Sequence, residues 1–152
     1  MIILKISIDD ISSDPDFQFL LDAYAGESAI NGMPPAIPTM DNYRKLENLG
    51  MIHVFAAHHS DRLIGFLCLM LTLVPHYNAV IGSTESFFVD KDHRKTGAGL
   101  ALLKEAERFA KGAGAAGMFV STPFGSKLAD VMSAMPSYRE TNRVFFRSIT
   151  DV

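Results

Sequence analysis

The sequence predicts one mixed α/β domain built around a largely antiparallel sheet. Segments with apolar residues at helical spacing alternate with short apolar, β-branched runs, and three of those runs follow one another with only turns between them. Size and composition agree with this. At 152 residues, 48% hydrophobic and 20% charged, the chain can bury one well-packed core and lies outside the composition of disordered chains.

The elements follow in order. Ile2–Ile8 is rich in β-branched residues and alternates from Leu4, which predicts a strand. Asp14 and Pro15 supply an N-cap and a first-turn proline for a helix whose apolar face is Phe17, Leu20, Leu21, Tyr24 and Ala25. Asn31-Gly32 and the prolines 34, 35 and 38 then make a stiff irregular connection, the kind of segment that walls a pocket. Thr39 caps a short helix carrying Tyr43, Leu46 and Leu49 and ended by Gly50.

Ile52–Ala57 and Leu63–Leu73, separated by His59-Ser60-Asp61-Arg62, read as a β-hairpin, and Val80–Val89 adds the third strand of a meander. Beyond Gly99, Leu102, Leu103, Ala106, Phe109 and Ala110 share one helical face, with Lys104, Glu105, Arg108 and Lys111 opposite and Gly112 as the stop. Gly117–Thr122 is a short strand, Ser126 caps a helix through Leu128, Val131, Met132 and Met135, and Arg143–Ile149 is expected to close the chain as a strand. No repeat or linker interrupts residues 1–152, so a single domain is expected.

Charge and cysteine content exclude several functions. Fourteen Lys and Arg against seventeen Asp and Glu give a net charge of −3, without the basic field that nucleic-acid binding needs. The charge is uneven: residues 1–75 hold four basic and nine acidic side chains, and residues 76–152 hold ten and eight. An anionic ligand therefore favours the second half, and a cationic one the first. A single cysteine, Cys68, forms no internal disulfide, and no Cys/His cluster has zinc spacing, so no metal site is expected. The longest apolar run, Leu63–Val74, is too short to span a bilayer, and Met1–Leu4 followed by Lys5, Asp9 and Asp10 is no signal peptide. These features predict a cytoplasmic protein without a membrane partner.

The chemistry concentrates between Phe87-Phe88-Val89 and the helix that follows, in Asp90-Lys91-Asp92-His93-Arg94-Lys95-Thr96-Gly97-Ala98-Gly99. Two glycines at a helix start let backbone approach a ligand, and the unpaired amides of a first helical turn favour an anion. Arg94 and Lys95 place charge beside them. A phosphate or pyrophosphate suits such a loop. The Gly-x-x-x-x-Gly-Lys-[Ser/Thr] pattern of P-loops is absent, and Gly112-Ala113-Gly114-Ala115-Ala116-Gly117, although a literal Gly-x-Gly-x-x-Gly, follows a helix instead of a strand.

Arg94-Lys95-Thr96-Gly97-Ala98-Gly99 fits [Arg/Gln]-x-x-Gly-x-[Gly/Ala], and here the chain resembles the GNAT superfamily of acyl-CoA-dependent N-acyltransferases. The element order, with this loop between a meander and an amphipathic helix, extends the resemblance over nearly the whole chain. Pro123-Phe124-Gly125-Ser126 and Tyr138-Arg139-Glu140-Thr141-Asn142-Arg143 are similar to the small GNAT proteins of phages and prophages.

The resemblance implies a GNAT-like fold: a mostly antiparallel sheet with a splay beside strand four, flanked by about four helices. It implies acetyl-CoA, or coenzyme A as product, with the pantetheine arm pairing like an extra strand along the backbone of Phe88 and Val89 and the pyrophosphate on the amides from Lys95 to Gly99. The cofactor-binding set is then Phe87, Phe88, Val89, Arg94, Lys95, Thr96, Gly97, Ala98, Gly99 and Ser126. The acceptor, a primary amine of a small molecule or a protein, enters near residues 31–38 and the end of the chain. Dimers are common in the superfamily, and Val144-Phe145-Phe146 offers an apolar strand for a homodimer.

Acyl transfer from a thioester to an amine needs a base for the amine and an acid for the departing thiolate. Glu85, four residues before Val89 and so expected on the same strand face, is the candidate base; a solvent-facing or ion-paired carboxylate is the alternative. Tyr138 is the candidate acid, or a residue that packs or lines the acceptor site. Ser126 reads as a helix N-cap that also reaches the cofactor. His58-His59 reads as a solvated turn, His93 as a loop residue or helper cation, and Cys68 as a buried inert thiol. A non-catalytic acyl-CoA-binding sensor or structural module, and a loop for some other phosphate ligand, remain the competing functions.

Overall fold

The computed structural model describes residues 1–149. Five strands form one sheet in chain order, β1 (Ile2–Ile6), β2 (Ile52–His59), β3 (Arg62–Val74), β4 (Ala79–Val89) and β5 (Gly117–Phe119). Every neighbouring pair is antiparallel except β4–β5. The expected meander is β2–β3–β4, turning at Ser60 and Asp61, whose φ of 49° and 61° match the twist of a tight hairpin. The mixed α/β sheet fold read from the sequence is the observed one.

Helices cover both faces. On one lie α1 (Ile8–Ser12), α2 (Phe17–Ser28) and α3 (Met40–Asn48), packed on a core that includes Val54, Phe66, Cys68 and Phe88. On the other lie α4 (Ala98–Gly112) and α5 (Lys127–Ala134), packed on Phe55, Leu67, Leu69 and Val89. β3 sits between the two layers, and its near-continuous apolar run follows from burial on both sides. Gly65 in its middle is required by close approach: a Cβ there would stand 2.8 Å from the Phe88 carbonyl oxygen.

Three expectations are corrected. The first strand stops at Ile6, because Ser7 opens a capping box in which its hydroxyl accepts from the Asp10 amide and the Asp10 carboxylate accepts from the Ser7 amide, at 3.0 and 3.1 Å. The next helix begins only at Phe17, after Asp16, whose side chain makes no capping bond; the Asp14 carboxylate accepts from the Asp16 amide at 2.9 Å. Arg143–Ile149 forms no strand. β5 is three residues long, residues 135–149 join no ladder, and Val144, Phe145 and Ile149 are at least 90% exposed, so strand propensity there finds no partner. The apolar strand invoked for a homodimer is therefore absent from the described residues. Among those residues no helix is long and apolar enough to cross a membrane.

Candidate active site

β4 positions the site because it loses its neighbour half-way along. It pairs with β5 only through Ile81–Ser83 against Gly117–Phe119, and just beyond, the Ser121 amide donates to Thr84 Oγ1 at 3.0 Å. The expected splay is present, and it exposes one backbone edge of β4 from Glu85 to Val89. Which groups face that edge follows from the ladder. The Asp90 amide bonds to the Ile64 carbonyl, and the Phe88 carbonyl lies against Gly65, so Phe88 is paired with β3. By alternation Phe87 and Val89 present their backbone to the splay, which corrects the pairing expected of Phe88.

Glu85 sits at a β-bulge. Cys68 pairs with Ser86 and Leu69 with Thr84, which leaves Glu85 as the extra residue. A bulge redirects a side chain, and here it turns Glu85 to the α1–α3 face, where the Tyr43 hydroxyl donates to Glu85 Oε1 at 2.8 Å. Val89 packs on the opposite face with α4, so the two do not share a strand face as expected. Burial, then the charge of Glu85, pushes the Tyr43 and Tyr24 phenols up and keeps them neutral. The same two causes push up the buried Cys68 thiol, as expected of an inert core cysteine. Among the described residues no Lys, Arg or His forms an ion pair with Glu85.

The loop after β4 winds as a 3₁₀ helix over Lys91–Thr96, closed by Thr96 Oγ1 donating to the His93 carbonyl at 2.7 Å. Gly97 then caps α4 with φ +84°, a left-handed conformation that glycine adopts without strain. A Cβ at Gly97 would meet no atom within 4 Å, so the space at the start of α4 is open. The first-turn amides of Gly99 and Leu100 lie there, that of Ala98 donating to Thr96 Oγ1 at 3.4 Å, and Lys95 is exposed. Arg94 is directed elsewhere. Its Nε donates to the Val89 carbonyl at 2.9 Å, its Nη2 donates to Glu27 at 2.8 and 2.9 Å, and its guanidinium lies 5.3 Å from the Phe88 ring centre. Arg94 thus braces the end of β4 and occupies one of the two outward Val89 groups, leaving the Val89 N–H facing the splay.

Tyr138 and Ser126 lie on the α4 side. Ser126 Oγ accepts from the Ala129 amide at 3.2 Å and caps α5. The Tyr138 hydroxyl donates to Glu107 on α4, and burial followed by that carboxylate pushes the phenol well up. The structure therefore gathers Glu85, Tyr43, Tyr24 and Cys68 on one face of β4 and places Tyr138 with Glu107 on the other. His58 is corrected too: it is a partly buried residue of β2 hydrogen-bonded to Asp14 at 3.3 Å, not part of a solvated turn. His93 bonds to Asp90 at 3.1 Å. Among the described residues no group of His, Cys, Asp and Glu could hold a metal.

Sequence reading did not find Tyr43 as a partner of Glu85. The bulge that brings them together depends on a register shift between two strands, which no local pattern displays.

The acetyltransferase (GNAT) domain profile matches residues 51–148, which span β2 to the tail and so include the splay, the bulge and the glycine loop. The chain belongs to this family. Solved structures of other proteins share the fold. An aminoglycoside acetyltransferase from an uncultured soil metagenomic sample, in complex with sisomicin, superposes with a TM-score of 0.76 at 18% identity, over 98% of this chain and 96% of that one. A ribosomal-protein-alanine N-acetyltransferase from Brucella melitensis biovar Abortus 2308 gives 0.73 at 16% identity, over 96% and 97%. A GNAT family acetyltransferase from Staphylococcus aureus gives 0.68 at 16%, over 96% of both. No curated protein sequence matches the chain significantly.

Proposed function

We propose that residues 1–152 act as one acyl-CoA-binding unit that transfers acetyl from acetyl-CoA to a primary amine by direct attack in a ternary complex. The observation that carries this reading is the placement of the Glu85 bulge on the strand whose open edge runs into the Gly97 loop. Acetyl-CoA supplies an activated acetyl group with a thiolate as leaving group. The Phe87 and Val89 backbone would hold the pantetheine arm, and the amides after Gly97, with Lys95, the pyrophosphate.

Glu85 receives the proton of the attacking amine, directly or through a water, as the new C–N bond forms and the C–S bond breaks. The Val89 N–H, aimed into the splay, polarises the thioester carbonyl. Tyr138 returns a proton to the thiolate once its bond to Glu107 opens. The acceptors named for the structural neighbours, an aminoglycoside and a ribosomal-protein alanine, support an amine in this role. The hold of Glu107 on Tyr138 favours one second reading, a non-catalytic acyl-CoA-binding module.

Calorimetric titration with acetyl-CoA, CoA and ADP tests the assignment on wild type and on Gly97→Glu, which places bulk and negative charge at the start of α4. Binding of both CoA species by wild type, lost in a folded variant, is the expected result. Absence of binding by wild type, or equal binding by the variant, would overturn the assignment of the loop. Retained binding without turnover on any amine would establish the second reading.

A further inference from the structure

Beside Glu85 the structure holds a crevice of about 30 Å³, walled by Ile8, Ile11, Leu21, Met40, Tyr43 and Ser86 among others. Tyr43 is the residue that bonds to Glu85, and Ser86 is its neighbour in the chain, so two walls of the crevice adjoin the residue that carries the carboxylate. Its walls are almost wholly apolar. One water needs about 10–15 Å³ by the same measure, so the space suits roughly two or three heavy atoms and excludes a sugar ring.

The charges around it point the same way. The acidic first half of the chain suggests a polycationic ligand, yet five of its carboxylates already meet a basic side chain, and Asp10 and Asp22 accept from Ser7 and Gln18. Asp9 and Asp41 pair with Arg44, Asp16 with Arg62, Asp14 with His58, and Glu27 with Lys91 and Arg94. Glu47 accepts from the Ile8 amide at 3.0 Å. Glu85, whose neighbours Tyr43 and Ser86 wall the crevice, meets no basic side chain among the described residues, which provides for one ammonium and not for several.

We propose that the acceptor is a primary amine with a single positive charge and one short apolar group of ethyl to propyl size. The amine nitrogen lies at Glu85 and the apolar group fills the crevice under α1–α3. The inference rests on the reading of Glu85 as the base of acetyl transfer. In the reaction Glu85 takes one proton from the bound ammonium, the neutral nitrogen then bonds to the acetyl carbon as the carbon–sulfur bond breaks, and the second nitrogen proton passes to the departing thiolate, so that CoA leaves as its thiol.

The test is a series of n-alkylamines from methylamine to hexylamine, with spermidine and sisomicin as polycations, on wild type, Leu21→Phe and Met40→Ala. Each methylene that enters the crevice contributes about 0.8 kcal/mol, so kcat/KM in wild type is expected to rise about fourfold per carbon to propylamine and then level or fall. Leu21→Phe narrows the space and moves the optimum to a shorter amine. Met40→Ala widens it and moves the optimum to a longer one, a gain that misfolding does not produce. Acetyl-CoA affinity, read by calorimetry, stays constant in both. Chain-length independence, or preference for spermidine or sisomicin, would overturn the inference while acetyl transfer stands. Bound acetyl-CoA with no amine acetylated would overturn both.

Discussion

The phenol of Tyr43 on α3 donates a 2.8 Å hydrogen bond to Glu85 on β4, joining a helix to a strand bulge across 42 residues of chain. Glu85 is exposed and long, and the neutral Tyr43 donor fixes where its carboxylate points. Tyr43→Phe keeps the ring and removes the donor. A lost hydrogen bond to a charged group costs about 1.5–3 kcal/mol when buried, less at this exposure, so kcat is expected to fall about tenfold with KM for acetyl-CoA unchanged. Glu85→Gln removes the base itself and is expected to cost about 10²–10⁴ in kcat. Steady-state kinetics on the two variants and the double variant checks this: once Glu85 is gone, Tyr43→Phe should add little.

Arg94 belongs to the motif that marks the family, yet its charge meets Glu27 and its Nε holds the Val89 carbonyl. Arg94→Ala is therefore expected to weaken CoA binding several-fold by releasing the end of β4. Its cost in stability should be about 1 kcal/mol, because the pair is partly solvated. Glu27→Gln leaves the Val89 contact in place and should change CoA affinity by less than about twofold. Calorimetry and thermal melts on the pair separate bracing from direct contact with the cofactor.

Gly65 offers a test of the sheet. A Cβ would stand 2.8 Å from the Phe88 carbonyl oxygen and 3.1 Å from a Val89 methyl, and both obstacles belong to a central strand pair with little freedom to shift. Gly65→Ala is expected to destabilise the fold by about 1–3 kcal/mol, in the range of overpacked cores. Chemical denaturation with an unchanged m-value would confirm it; a loss under ~0.5 kcal/mol would show that the strands can part.

The meander, α4 and the glycine loop were legible because their signals are local: period-two runs, a clean helical face and two glycines at a helix start. Ser7 and Asp10 held an equally local signal for α1, but the β-branched run through Ile8 outweighed it. Register was not legible. The extra residue at Glu85 turns that side chain away from the face of Val89, and its partner Tyr43 lies on a helix far off in sequence. Arg143–Ile149 has strand propensity without strand structure, because pairing depends on a neighbour that three-residue β5 does not extend to supply.

His53 lies half-buried on β2, its Nε2 3.0 Å from the Gly50 carbonyl and its ring centre 4.4 Å from that of Phe109. Burial, the largest cause, holds its folded pKa below the ordinary 6.5, against the Gly50 contact that raises it. Below that unfolded value the unfolded chain binds more protons, so stability present above it is lost as pH falls through the folded value. Thermal melts from about pH 7.5 to about pH 5 should therefore show an acid-side loss of Tm that is smaller in His53→Gln. An identical pH slope in wild type and variant would assign the loss to other groups.

Cys68 is 3% exposed beneath Glu85, and burial followed by that carboxylate pushes its thiol far above the range in which thiolates form near neutrality. The thiolate is the reactive species, and a buried thiol is shielded as well. Iodoacetamide at neutral pH is expected to leave the native protein unmodified and to alkylate it once in denaturant, read as a mass increase. Because Cys68 lines the crevice beside Tyr43 and Ser86, Cys68→Ala would enlarge that space and should move the amine preference toward a longer chain. Labelling of the native protein at a rate near that of the denatured chain would mean that the α1–α3 layer opens readily, and a rigid crevice could not then select the acceptor.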